Sequence, residues 1–167
     1  MKEPHYQDLI ELFDGLFRDT FNTVLVLGDD EPIYLPAGDG YPHHRIVFAH
    51  GFFASALHEI AHWCVAGAER RQQVDFGYWY KPDGRTAEEQ ALFERVEVKP
   101  QALEWIFSAA AGHRFHFSAD NLSLGLGPSE QFRQRVQQQV ADFLEQGCRS
   151  ARACWSRRCR RFITPRH

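Results

Sequence analysis

Apolar positions along this chain change their period several times, and each change marks an element. Over residues 6–18, Leu9, Ile10, Leu12, Phe13, Leu16 and Phe17 recur at helical spacing with acids between them. The pattern predicts an amphipathic helix ending near Asp19-Thr20. Residues 21–27 contain the run Val24-Leu25-Val26-Leu27, closed by Gly28-Asp29-Asp30. A short apolar run bounded by turn residues reads as a buried strand. A loop rich in Pro and Gly is expected from Asp29 to about Pro42. Residues 45–49 (Arg-Ile-Val-Phe-Ala) predict a second strand, broken by His50-Gly51. A helix follows from about Phe52 to Ala66, with Gly67 as its C-cap.

Downstream, residues 74–80 (Val-Asp-Phe-Gly-Tyr-Trp-Tyr) are aromatic and β-prone, and Lys81-Pro82-Asp83-Gly84 has turn chemistry. Thr86 and Glu89 have the spacing of a capping box, which starts a helix running to about Glu97. Pro100 suits the first turn of a further helix over 101–111, stopped by Gly112. Residues 115–118 read as a short strand and 120–127 as loop. Residues 129–146 predict a polar helix with Phe132, Val136, Val140, Phe143 and Leu144 as its buried stripe. Few strands and many helices predict an α+β domain, a small β-sheet packed with helices.

Composition changes this picture little until charge is located. At 167 residues, 44% hydrophobic and 25% charged, the chain reads as one soluble domain with a core of its own. Residues 148–167 hold seven Arg and no acid, so the net charge of −3 leaves −10 on the first 147. The expected organisation is a domain over 1–147 and a basic, Cys-containing tail over 148–167. An acidic body is not the footprint of a dedicated nucleic-acid binder. It suits a positively charged substrate group, or simply solubility. The N-terminus lacks an apolar signal region, and no run approaches a membrane span of about 20 residues. The expected setting is the cytoplasm, where the four Cys stay as thiols.

Candidate chemistry concentrates on the second predicted helix. His58-Glu59-Ile60-Ala61-His62 is a His-Glu-x-x-His motif. Residues four apart share a helix face, so His58 and His62 can aim two imidazoles at one divalent metal. Glu59 sits about a quarter turn away and can reach a metal-bound water without ligating the metal. Small and apolar neighbours (Ala54, Ala56, Leu57, Ile60, Ala61, Val65) predict a buried, zincin-like helix, where unpaired His and Glu would be costly. A third ligand must come from elsewhere. His113, His116, Glu94, Glu97 and Glu104 are the candidates, and Glu97 stands out between Val96 and Val98. Glu94 and Glu104 look like ordinary amphipathic-helix residues. The metzincin spacing fails, because Trp-Cys-Val-Ala-Gly-Ala-Glu-Arg follows His62.

Several stretches together resemble the bacterial elongation factor P hydroxylase family, also called EpmC. They are residues 29–36 (Asp-Asp-Glu-Pro-Ile-Tyr-Leu-Pro), 45–51 (Arg-Ile-Val-Phe-Ala-His-Gly), 58–64 around the two histidines, 75–80 (Asp-Phe-Gly-Tyr-Trp-Tyr) and 96–103 (Val-Glu-Val-Lys-Pro-Gln-Ala-Leu). The likeness runs from about Leu9 to Leu122, and the tail from about Cys148 departs in its Cys and Arg content. The resemblance implies hydroxylation of the lysine of elongation factor P that already carries β-lysine. It implies a non-haem metal held by His58, His62 and Glu97, on a fold closer to zincin-like proteins than to 2-oxoglutarate oxygenases.

Such a donor set suits Fe(II) with O2 as co-substrate, although Zn or another divalent metal could also bind. Glu59 is the candidate catalytic residue. Asp75 and Tyr78 are candidate substrate contacts, a carboxylate to steer the cationic side chain and an aromatic wall for its aliphatic part. The expected partner is elongation factor P carrying β-lysyl-lysine, with no membrane and no nucleic acid. The alternatives are a cytosolic zincin-type zinc metallopeptidase or hydrolase, in which Glu59 is the general base, and a zinc-stabilised binding module.

Overall fold

The computed structural model describes residues 5–76, 84–119, 125 and 127–146. Its described residues form four α-helices, three strands and a short 3-10 turn, so the class is α+β. The chain divides into two compact units, Met1–Trp79 and Tyr80–His167.

In the first unit, α1 (Tyr6–Phe21) leads into β1 (Thr23–Leu27). Asn22 makes that transition possible. It ends the helix in the left-handed conformation at φ 49°, which Asn tolerates better than most residues, and its amide donates to the Pro42 carbonyl at 3.0 Å. Two further strands are β2 (Ile33–Leu35) and β3 (His44–Phe48). The sheet order is β1-β3-β2, with β1 parallel and β2 antiparallel to β3. β2 falls inside the stretch expected to be loop. Three residues between Pro32 and Pro36 are too few to show a period, and β2 forms because the edge of β3 is there to pair with it.

The α2 helix (Phe53–Val65) packs on β3 and α1. Phe13, Phe48, Ala56, Ile60 and Ala61 are wholly buried in the core. Trp63 joins α1 to α2 through rings: Phe17 lies 5.1 Å, Phe13 5.4 Å and Phe21 5.5 Å from it between centroids. The C-cap of α2 is Ala66 rather than Gly67, because the cap is extended (φ −60°, ψ 133°) and needs no glycine.

The second unit holds α3 (Ala87–Ala111) and α4 (Glu130–Glu145), packed together. The expected capping box is present: Thr86 Oγ1 accepts from the Glu89 N–H at 3.2 Å, and the Thr86 N–H donates to the Glu89 carboxylate at 2.8 Å. The two helices expected around Pro100 are one continuous helix. Proline removes the N–H that would meet the Val96 carbonyl and costs about 3 kcal/mol in a helix interior. Pro100 is buried beside Gln101 and Ala102, and that packing outweighs the local preference. Gly112, left-handed at φ 67°, stops the helix where expected. Residues 115–118 are not a strand. In α4, Phe132 and Val136 are buried, while Leu144 is exposed. Tyr78, the turn at 81–83, most of the 120–127 loop and the tail from residue 147 lie outside the described residues.

Candidate metal centre

On α2, Ala56, Leu57, Ile60, Ala61 and Cys64 take the buried face. That fixes the helix's rotation and leaves His58, Glu59 and His62 half-buried. The His58 and His62 Nε2 atoms lie 3.0 Å apart. Such a spacing fits two ligand bonds of about 2.0–2.1 Å converging on one ion. The end of this helix is secured from outside. The Arg71 guanidinium donates to the Trp63 carbonyl through Nε at 3.1 Å and Nη2 at 2.6 Å, and stacks over the indole at 4.2 Å. A cation at a helix C-terminus also complements its dipole.

Beside the pair lies a hollow lined by Tyr34, Glu59, His62, Trp63, Arg70 and Asp75, among others. Asp75 reaches it because its backbone pairs with Tyr34 in both directions, at 2.7 and 3.0 Å. The Asp75 carboxylate is gripped by Arg70 through both Nε and Nη2. That hydrogen bond holds the Arg70 guanidinium above its usual range, with burial opposing. The Tyr34 hydroxyl donates to the Arg71 carbonyl at 2.7 Å, and burial pushes it up to about 12 against the pull of Arg71. The expected acidic site at Asp75 is thus a paired acid, while Asp29, Asp30 and Glu31 are exposed.

On α3, Glu97 is 2% exposed. It belongs to a polar ladder of Gln90, Glu94, Glu97, Gln101, Glu104 and Ser108, alternately four and three residues apart, so all share one face. Five of the six are buried; Glu94 is half-buried. Glu94 accepts from the Ser129 N–H at 3.1 Å and its hydroxyl at 2.6 Å at the start of α4. Glu104, expected as an ordinary amphipathic position, is buried, as is the Ser108 hydroxyl, which has no hydrogen-bond partner among the described residues. His116 is exposed. Sequence reading missed Gln101. Its signal was spacing: Gln101 stands four residues after Glu97 in the same helix.

His58, His62 and Glu97 each offer one ligand atom, and these atoms lie within 4.8 Å of one another, so the group could hold a metal ion. Two imidazoles and a carboxylate are a donor set for a borderline divalent metal. Fold and donors together define the class: a small α+β protein with a candidate His-His-Glu metal site.

Comparison with known proteins narrows that class. Residues 12–166 match the elongation factor P hydroxylase family. A relative from Haemophilus influenzae, elongation factor P lysine hydroxylase, is 57% identical over 145 residues, spanning 87% of this chain and 82% of the relative. The chain belongs to the elongation factor P hydroxylase family. The match continues to residue 166, so it takes in the stretch from Cys148 that had read as departing from the family. Both comparisons name a hydroxylase and give the hydrolase reading no support. No helix among the described residues is long and apolar enough to cross a membrane.

Proposed function

We propose that this chain is a cytoplasmic, metal-dependent hydroxylase of the lysine of elongation factor P that carries β-lysine. The observation that carries the reading is the donor set of His58, His62 and Glu97 in a chain 57% identical to an elongation factor P lysine hydroxylase. These residues would hold Fe(II), and residues 1–147 form the domain that works on the substrate. A bound Fe(II) would supply the redox chemistry with which O2 delivers one oxygen atom to a C–H bond, the other leaving as water with two electrons and two protons from a reductant.

The remaining roles belong to the chain. His58 and His62 would present Nε2 to the ion. Glu97 supplies charge that offsets that of the metal. Glu59, in the hollow beside His62, accepts a hydrogen bond at its carboxylate from water or a substrate N–H there. The cationic side chain enters the same hollow, where Asp75 takes its ammonium in exchange for Arg70. Arg70 can be displaced because its side chain is about half exposed, at 52%, and water receives it. Tyr78 is the aromatic contact for the aliphatic part.

The test is aerobic incubation of β-lysylated elongation factor P with the protein, Fe(II) and a reductant, followed by weighing the lysine-bearing peptide. A gain of one oxygen is expected with the wild type and not with His58→Ala or Glu97→Ala. Peptide cleavage with Zn(II) and no gain of oxygen would sink the reading.

A further inference from the structure

Gln101 is wholly buried on α3, one turn after Glu97. Its amide makes three hydrogen bonds. Oε1 accepts from the Ser118 N–H at 3.1 Å, and Nε2 donates to the Ser118 carbonyl at 2.8 Å and to Glu97 Oε2 at 3.3 Å. A glutamine amide can ordinarily be turned end for end, since its oxygen and nitrogen look alike. Here the chemistry settles it. A backbone N–H only donates and a carbonyl only accepts, so Oε1 must face the Ser118 N–H and Nε2 its carbonyl. The second Nε2 hydrogen is then left for Glu97. The two bonds to Ser118 are the shorter, so the backbone fixes the amide and the amide orients the carboxylate, not the reverse.

We infer that Gln101 is the positioning residue for Glu97, holding Oε2 by a donor that cannot ionise and cannot rotate. The inference rests on the metal-ligand reading above. A carboxylate on a flexible side chain must be fixed in one rotamer before it can share an ion with two imidazoles, and a partner beyond the ligands is the usual means. Gln90 shows that clamping is a habit of this helix. Three turns earlier, its Nε2 donates to the Ala119 carbonyl at 2.8 Å while Oε1 accepts from buried Arg85 at 2.7 Å. Gln90 gives its second N–H to Glu94 at 3.4 Å, just as Gln101 gives its own to Glu97; the two differ in that Glu94 is engaged by Ser129, whereas Glu97 is the candidate ligand.

The experiment titrates Co(II) into the full chain by calorimetry and visible absorption, comparing wild type, Glu97→Ala, Gln101→Met and Gln101→Glu. Both Gln101 variants should weaken Co(II) binding by about 10–100-fold and alter the d–d spectrum, as loss of such a partner typically does. Gln101→Glu retains the acceptor for the Ser118 N–H, and is the variant to read if Gln101→Met does not fold. A lower Tm with unchanged Co(II) affinity and spectrum would mean that Gln101 only pins Ser118, and the inference falls alone. Equal binding by wild type and Glu97→Ala would overturn the ligand set itself.

Discussion

The two helices that supply the candidate ligands are built on opposite plans. α2 buries an apolar face, and its His pair sits half-buried beside that face. α3 buries a polar ladder, in which Gln90, Glu97, Gln101, Glu104 and Ser108 are each less than a tenth exposed. α2 can therefore be oriented by the hydrophobic effect alone, with its donors following from helical geometry. α3 buries Phe93, Ala102 and Phe107 as well, but apolar burial alone does not orient it, because its buried polar groups cost free energy where they lack partners. Specific bonds to Ser118, Ala119 and Ser129 hold its polar ladder. The comparison separates two ways of aiming a ligand: by an apolar stripe, or by satisfying hydrogen bonds.

The largest expected effect breaks the apolar plan. Ile60→Ala leaves a cavity under α2 and should lower stability by about 2–5 kcal/mol, read from denaturant midpoints. A loss below 1 kcal/mol would mean that α2 is not held by its buried face. Next comes the hollow. Asp75→Asn should raise KM for the β-lysylated substrate about tenfold, equal to about 1.4 kcal/mol, with kcat little changed. Arg70→Gln should lower KM by removing the competing cation, and a rise would show that Arg70 helps to bind substrate. On α3, Thr86→Ala removes the capping-box hydroxyl and should cost about 1 kcal/mol in thermal or chemical unfolding. No change would show that the ladder alone secures this helix.

The smallest effect appears only in alkali. An unfolded tyrosine titrates near pH ~10, whereas Tyr34 is held up to about 12 by burial. The raised value favours the protonated phenol in the fold. Its contribution is present below pH ~10 and is lost as pH rises through about 12. Unfolding midpoints should therefore fall over that window and fall less in Tyr34→Phe. A phenolate signal near 295 nm titrating at the ordinary tyrosine value would contradict it.

Much was legible without coordinates. Helical period located α1 and α4, and short apolar runs bounded by turn residues located β1 and β3, with α2 following the break at His50-Gly51. The capping box and Gly112 fixed the ends of α3, since caps depend on the nearest few residues. The His58–Glu59–His62 constellation needed only the helix repeat. What failed was decided by neighbours distant in sequence. β2 needs the edge of β3 to exist. Pro100 reads as a helix start, yet burial carries the helix through it.

The extended stretch 115–118 is β-prone by composition, but a strand needs a backbone partner, and the Gln101 side chain takes both polar groups of Ser118. Sequence set Glu97 apart by its two valine neighbours and took Glu94 and Glu104 for ordinary amphipathic positions, yet Glu104 is buried as Glu97 is. Only the tertiary structure turned Glu94 to the start of α4 and set Glu97 against the Gln101 amide. Local geometry specifies donors one helical turn apart; burial and hydrogen bonding, which depend on neighbours distant in sequence, decide how each carboxylate of α3 is held.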